Sequence, residues 1–189
     1  ELELLIDHDI PYEIVPGVTS AISVPAYNGI PVTHRDFCSS VHIITAHSKK
    51  DGTLKINFRA LTELEGTLVF LMGVTSMKMI CDGLMEKGMS PEMPAAVLQQ
   101  GTGATQRRVV SDLAHLTEQA HQANIQAPAV LVIGKVCSLA EHLSWTQNRC
   151  LDGVRVVLTR PKELISRMSQ SLSDLGAEVI ELPSICLKP

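Results

Sequence analysis

The chain has 189 residues, 45% of them hydrophobic, and a net charge of −4, enough apolar content for one sizeable core plus a fragment of another. Its Lys and Arg residues are scattered, with Lys49-Lys50 and Arg107-Arg108 as the densest pairs, so there is no basic footprint for nucleic acid. No apolar run reaches the roughly 18–20 residues of a membrane span. The five cysteines contain no Cys-x-x-Cys pair, which argues against a disulfide scaffold and a structural zinc site and for free thiols in a reducing cytoplasm.

The chain opens in helical pattern at Leu2, Leu4, Leu5 and Ile6 with no starting Met, and reads as a piece of something longer. Tyr12 to Val15 reads as a short strand stopped by Pro16-Gly17. Thr19 or Ser20 then stands where an N-cap would, before a helix through Tyr27 that Gly29 and Pro31 break. Val41 to Ala46 is a strand rich in β-branched residues. A short helix follows near Phe58 to Leu64, then a strand from Thr67 to Met72. Thr75 or Ser76 can cap a helix through Glu86, with Gly88 placed to end it. Pro94 to Gln99 and Gln106 to Val110 are strands. Ser111 is expected to start a helix to about Ala123, and Ala129 to Val136 is the most apolar strand.

Alternating strands and helices of this kind predict an α/β fold, a mixed sheet with flanking helices. Ser138 to Cys150 is polar, holds the only Trp, and reads as a linker. The pattern then restarts: strand Val154 to Thr159, helix Glu163 to Leu175 ended by Gly176, strand Ala177 to Leu182. This is the first β-α-β of a second α/β domain, too short to stand alone. The domains expected are therefore 1–137 and 151–189, joined by 138–150.

Chemistry is expected first at the strand, turn and helix start from Tyr12 to Ala21, followed by Gly29-Ile30-Pro31-Val32-Thr33-His34-Arg35. Exposed amides and hydroxyls at such a turn hold a polar or carboxylate group; a capped turn without ligand is the plainer alternative. Gly101-x-Gly103 lacks the third glycine and following helix of a dinucleotide loop. The seven histidines show no metal-ligand spacing, and His42 and His47 read as structural.

These stretches resemble the uroporphyrinogen-III C-methyltransferases of the tetrapyrrole methylase family. The resemblance is carried by Ile14-Val15-Pro16-Gly17 with Tyr12 ahead of it, by Thr19-Ser20-Ala21, and by the Gly29 to Arg35 segment. It continues through Leu68 to Gly73, Pro94 to Val97, Gln100 to Arg107 and Ala127-Pro128-Ala129, covering Glu1 to Val136 in order. The tail from Leu151 to Pro161, with Leu175 to Val179 and Pro183 to Ile185, resembles the start of uroporphyrinogen-III synthase.

The first resemblance implies that S-adenosylmethionine binds in a cleft between two α/β domains, with no metal. Thr19 and Ser20 would contact it, Met72 would pack on it, Gly101 would allow close backbone approach, and Ala129 would face the adenine. For Met72 and Gly101 the plainer alternatives are core packing and an ordinary turn. The implied reaction moves methyl groups to two pyrrole carbons of uroporphyrinogen III in turn, giving precorrin-2. Alignment of donor and ring carbon is the main expected source of rate. His34, Arg35 and Arg107 are expected to hold substrate carboxylates.

The Gly-x-Gly-Pro-Gly-Asp and Gly-Gly-Asp-Pro segments of the family's N-terminal domain are not in this sequence. One wall of the cleft is therefore expected to be missing, and this chain alone to be inactive. The family further implies a homodimer acting on a small-molecule tetrapyrrole, in sirohaem or cobalamin synthesis. The alternatives are a precorrin methylase of the same family and an isolated dimerisation or binding module.

Overall fold

The structure is a computed structural model that describes residues 2–47, 54–146 and 149–185; Lys49, Lys50, Gln147, Asn148 and Cys186 lie outside them. In chain order the elements are α1 (Leu2–Asp7), α2 (Ser20–Tyr27), β1 (Val41–Thr45), α3 (Phe58–Glu63), β2 (Thr67–Leu71), α4 (Met77–Glu86), β3 (Pro94–Gln99), β4 (Arg107–Asp112), α5 (Leu116–Gln122) and β5 (Ala129–Ile133). A 3-10 helix (Lys135–Leu139) follows, then β6 (Arg155–Leu158), α6 (Lys162–Asp174) and β7 (Glu178–Glu181).

Five strands form one mixed sheet in the order β1-β2-β5-β3-β4, with β1 and β2 parallel and the other neighbours antiparallel. The three central strands are apolar along their length because both faces are covered. In β2, Leu68 and Phe70 point to a core shared with Ile80 and Leu84 of α4 and Leu116 of α5. Val69, between them, points to the opposite core with Ala21 and Val24 of α2 and Val136 of the 3-10 helix. The same alternation runs through β3 and β5, and the register Val69↔Val132 and Ala96↔Val132 keeps like faces together. Cys81 and Cys137 are buried free thiols; burial pushes the first up to about 11 and the second up to about 12.

Residues 12–15 are exposed and belong to no strand, unlike the sequence expectation; Val15 and Val18 are 82% and 85% exposed. Nor does Ser111 begin a helix. β4 stays paired with β3 as far as Pro94↔Asp112. The Asp112 carboxylate then accepts from the His115 amide at 2.9 Å, which closes the turn before α5. That bond, aided by the His115 side chain, holds Asp112 below the usual carboxylate range.

The stretch read as a linker is strapped to α2. The Trp145 indole donates to Ala26 O at 3.0 Å and the Thr146 hydroxyl to Tyr27 O at 3.0 Å. Arg108 donates to Asn28 O at 3.0 Å and to Glu141 at 2.8 Å. The carbonyls of Ala26, Tyr27 and Asn28 at the end of α2 thus each take a donor distant in sequence, Ala26 O in addition to the Gly29 amide. Arg149 lies over the Trp145 ring, 4.8 Å from its centroid. β6 and β7 pair in parallel across α6, the β-α-β unit expected from the restarted pattern.

Candidate functional site

The C-terminal ends of β2 and β3 and the start of β5 meet at one edge of the sheet, since Phe70 pairs with Leu131 and Gln99 with Ala129. The first turn of α2 comes down beside them. Between these parts lies a cleft of about 620 Å³ with a mostly apolar lining. Ser20, Met72, Gly101 and Ala129, four of the five positions the resemblance implies for the cofactor, line it. Thr19 stands at the N-cap of α2, where its hydroxyl accepts from the Ala21 amide at 3.3 Å.

Met72 follows β2 directly with φ 56° and is 60% exposed, so its side chain is open to the cleft rather than packed in the core. A non-glycine residue in that left-handed region costs about 1–3 kcal/mol. Gln100 and Thr102, on either side of Gly101, are left-handed too, with φ 45° and 77°. The turn they form is held by its amides. Gln100 donates to Pro128 O at 3.0 Å, Thr102 to the Gln106 side chain at 2.9 Å, Gly103 to Gln100 O at 3.2 Å and Gln106 to Gly103 O at 3.0 Å. Ala104 donates outside the turn, to Glu178 Oε2 at 2.9 Å.

Gly101 is explained by its neighbour. A Cβ there would overlap the γ-carbons of Val24, so glycine lets α2 lie directly against the turn. The opposite wall is Ala127-Pro128-Ala129, where the Ala127–Pro128 peptide is cis.

The residues expected to hold substrate carboxylates do not line this cleft. His34 closes a tight turn with Cys38, and its Nδ1 accepts from the Asp36 amide at 3.2 Å. Arg35 beside it is exposed. Arg107 donates through Nη2 to Ala123 O at 2.6 Å, at the C-terminal end of α5.

Sequence reasoning missed His47, Thr75, Gln100 and Pro128 as lining residues. His47 follows β1 beyond the Ala46 amide, which donates to Leu71 O at 2.8 Å, and so sits at the cleft's lip. The apolar run ending at Ala46 was the signal for it. Nothing local marks Gln100, whose left-handed backbone occupies a position where glycine is the usual choice. Among the described residues, no lining side chain is an acid, a lysine or a cysteine, and no three His, Cys, Asp or Glu side chains gather to hold a metal ion. No helix among them is long and apolar enough to cross a membrane.

The "Porphyrin biosynthesis protein HemD" of Ruminiclostridium josui is 48% identical over 189 residues, which is 100% of this chain and 38% of that protein. The "Uroporphyrinogen-III C-methyltransferase" of Bacillus subtilis is 40% identical over 184 residues, 97% of this chain and 38% of that protein. A "Siroheme synthase" of Thiobacillus denitrificans is 38% identical over 145 residues, 77% of this chain and 30% of that protein. The chain therefore spans well under half the length of these relatives.

Among solved structures, a uroporphyrin-III C-methyl transferase from Thermus thermophilus complexed with S-adenyl homocysteine superposes with a TM-score of 0.61 at 28% identity, over 72% of this chain and 58% of that one. A cobalt precorrin-4 methyltransferase, at 22% identity and TM-score 0.65, covers 72% of this chain and 57% of its own and shares the mixed α/β fold. The family model described as Tetrapyrrole (Corrin/Porphyrin) Methylases matches residues 1–117. On these grounds the chain belongs to the tetrapyrrole methylase family.

Proposed function

We propose that this chain supplies one wall of the S-adenosylmethionine site in a uroporphyrinogen-III C-methyltransferase. The observation that carries the reading is the cleft that gathers Ser20, Met72, Gly101 and Ala129 at one edge of the sheet. A relative solved with S-adenyl homocysteine supports it. The lining fits such a ligand. An apolar floor suits the adenosine, and among the described lining residues there is no acid to pair with a sulfonium. When bound, S-adenosylmethionine supplies the methyl group, which passes to two electron-rich pyrrole carbons in turn.

The chain's own residues then bind and orient. Met72 packs on the donor from its exposed position, Ser20 offers a hydroxyl at the start of α2, and Gln100 and Gly101 line the floor. A carbon nucleophile already rich in electrons needs no activated side chain, which agrees with the absence of cysteine and lysine among the described lining residues. Rate comes from alignment. Arg35, with its exposed guanidinium, is the proposed partner for a substrate carboxylate; Arg107 ranks behind it because it already donates to Ala123 O.

The 151–189 segment is read as the opening of a uroporphyrinogen-III synthase domain in a bifunctional cytoplasmic parent. The match of all 189 residues, tail included, to part of a porphyrin biosynthesis protein supports this. The exposed apolar arm at Ile14, Val15 and Val18 is a surface that the proposed homodimer would cover.

The test is calorimetry of the full-length protein against S-adenosylhomocysteine, followed by assay with uroporphyrinogen III and S-adenosylmethionine. Binding and formation of precorrin-2 are expected. Absence of both would overturn the reading. The 189-residue chain assayed alone is expected to show no turnover, and sedimentation of the full-length protein is expected to give a dimer.

A further inference from the structure

The turn that floors the cleft is anchored from outside the part of the chain that builds the cleft. Four of its amide bonds, those of Gln100, Thr102, Gly103 and Gln106, end within residues 100–128. The fifth, from Ala104, ends on the carboxylate of Glu178 in β7, 74 residues further along the chain. Glu178 is itself held from behind: Arg155 of β6 donates through Nε at 3.0 Å and through Nη2 at 3.2 Å, one nitrogen to each carboxylate oxygen. The carboxylate oxygen that takes the Ala104 amide lies only 3.7 Å from where a Gly103 Cβ would stand, and a Cβ on Gly153, in the turn before β6, would lie 3.8 Å from Ala104 O. The β6-β7 unit therefore abuts this turn at two points. The amide and the guanidinium together hold the Glu178 carboxyl below the usual carboxylate range, so the anchor is a carboxylate at neutral pH.

Gln100 and Thr102 are non-glycine residues with left-handed backbone, and such a turn persists only when its surroundings over-determine it. Gly101, between them, meets both the cleft and Val24 of α2. We propose that Glu178 is a positioning residue for the cofactor cleft: by holding the Ala104 amide, the C-terminal unit fixes the 100–104 turn in the shape that receives the cofactor. This rests on the reading that the cleft takes S-adenosylmethionine. It assigns the C-terminal unit a part in cofactor binding, separate from any synthase activity, and it means that cofactor binding and the placement of that unit bias each other.

The test uses the full-length protein and S-adenosylhomocysteine as the calorimetric probe, with wild type, Glu178→Ala, Glu178→Gln and Gly101→Leu, whose side chain would collide with Val24 and deform the cleft directly. Glu178→Ala is expected to weaken binding and raise the KM for S-adenosylmethionine about three- to tenfold, the loss of one hydrogen bond of ordinary net strength. Its kcat at saturating donor should be unchanged, and exchange of the Ala104 amide hydrogen should be faster. Glu178→Gln keeps an oxygen that accepts from Ala104 and is expected to recover most of the affinity. If wild type binds and Gly101→Leu does not, while Glu178→Ala binds as wild type does, the positioning role is overturned and the cleft assignment stands. If wild type does not bind, the cleft assignment fails and takes this role with it. A Glu178→Ala protein that loses kcat and thermal stability together, without recovery by Gln, also overturns the role. Should Glu178→Ala not fold, Arg155→Ala carries the test: a smaller loss of affinity in the same direction is expected, and none would overturn the proposal.

Discussion

Gly101 and Val24 are packed so closely that no side-chain carbon fits between them: a Cβ on Gly101 would stand 2.7 Å from Val24 Cγ2 and nearer still to Cγ1. Gly101→Ala must therefore displace α2 or the turn, at about 1–3 kcal/mol. S-adenosylhomocysteine affinity of the full-length protein is expected to fall about tenfold or more, since every 1.4 kcal/mol is tenfold. Adding Val24→Ala removes both γ-carbons and is expected to restore part of the loss. Calorimetry on the single and double variants checks this; restoration is partial because the Val24 Cβ, 2.9 Å from the added carbon, remains, and Val24→Gly is expected to restore more.

Met72 predicts an opposition between stability and binding. Its left-handed backbone is one that glycine adopts freely, and its side chain is exposed. Met72→Gly is expected to leave the thermal midpoint unchanged or raise it, while weakening S-adenosylhomocysteine binding several-fold. A large drop in the midpoint would show that Met72 is a packing residue.

The cysteines should divide by burial. Cys150 is exposed and Cys38 half-buried, whereas Cys81 and Cys137 are enclosed with thiols pushed up to about 11 and about 12. Iodoacetamide at pH 8 is expected to label Cys150 and then Cys38, leaving Cys81 and Cys137 unlabelled until the protein unfolds, as read by peptide mass spectrometry. Because the folded thiols ionise later than unfolded ones, stability should hold below the ordinary thiol value, about 8.5. It should fall as pH rises from there toward the folded values.

Acid should act through Glu178 and Asp112. Both carboxyls lie lower in the folded chain than the usual range, Glu178 through the Ala104 amide and Arg155, and Asp112 through the His115 amide. Groups lowered by folding contribute stability above their unfolded value, about 4, and lose it as pH falls through the folded one. Urea midpoints measured from pH 7 down to 3 should drop below about pH 4, and Glu178→Gln should flatten part of that drop. An unchanged acid slope in the variant would show that the Ala104–Glu178 bond adds nothing to stability.

The central strands were legible because burial on both faces leaves an unbroken apolar run, as in Leu68-Val69-Phe70. The cap at Thr19 was legible because its chemistry is local. Tyr12 to Val15 has the composition of a strand, but among the described residues no neighbour pairs with it, and composition cannot supply a partner. Ser111 has the chemistry of a cap, yet the β3 ladder claims it and the turn waits for Asp112. Met72, Gly101 and Ala129 were found through a family pattern; the packing of Gly101 on Val24 and the left-handed Gln100 come from segments far apart in sequence and had no local sign.

The strand order carries a consequence for how the chain is made. β5 is the last of the five strands to be synthesised, yet it lies in the middle of the sheet, and β2 and β3 meet only through it. Until β5 is made, β1-β2 and β3-β4 have no ladder that joins them. The cleft does not exist at that stage, because its walls belong to different pairs. Folding is thus a late insertion of one strand between two waiting halves, a non-local step expected to be slow and to be the moment at which the nascent chain most needs protection from aggregation.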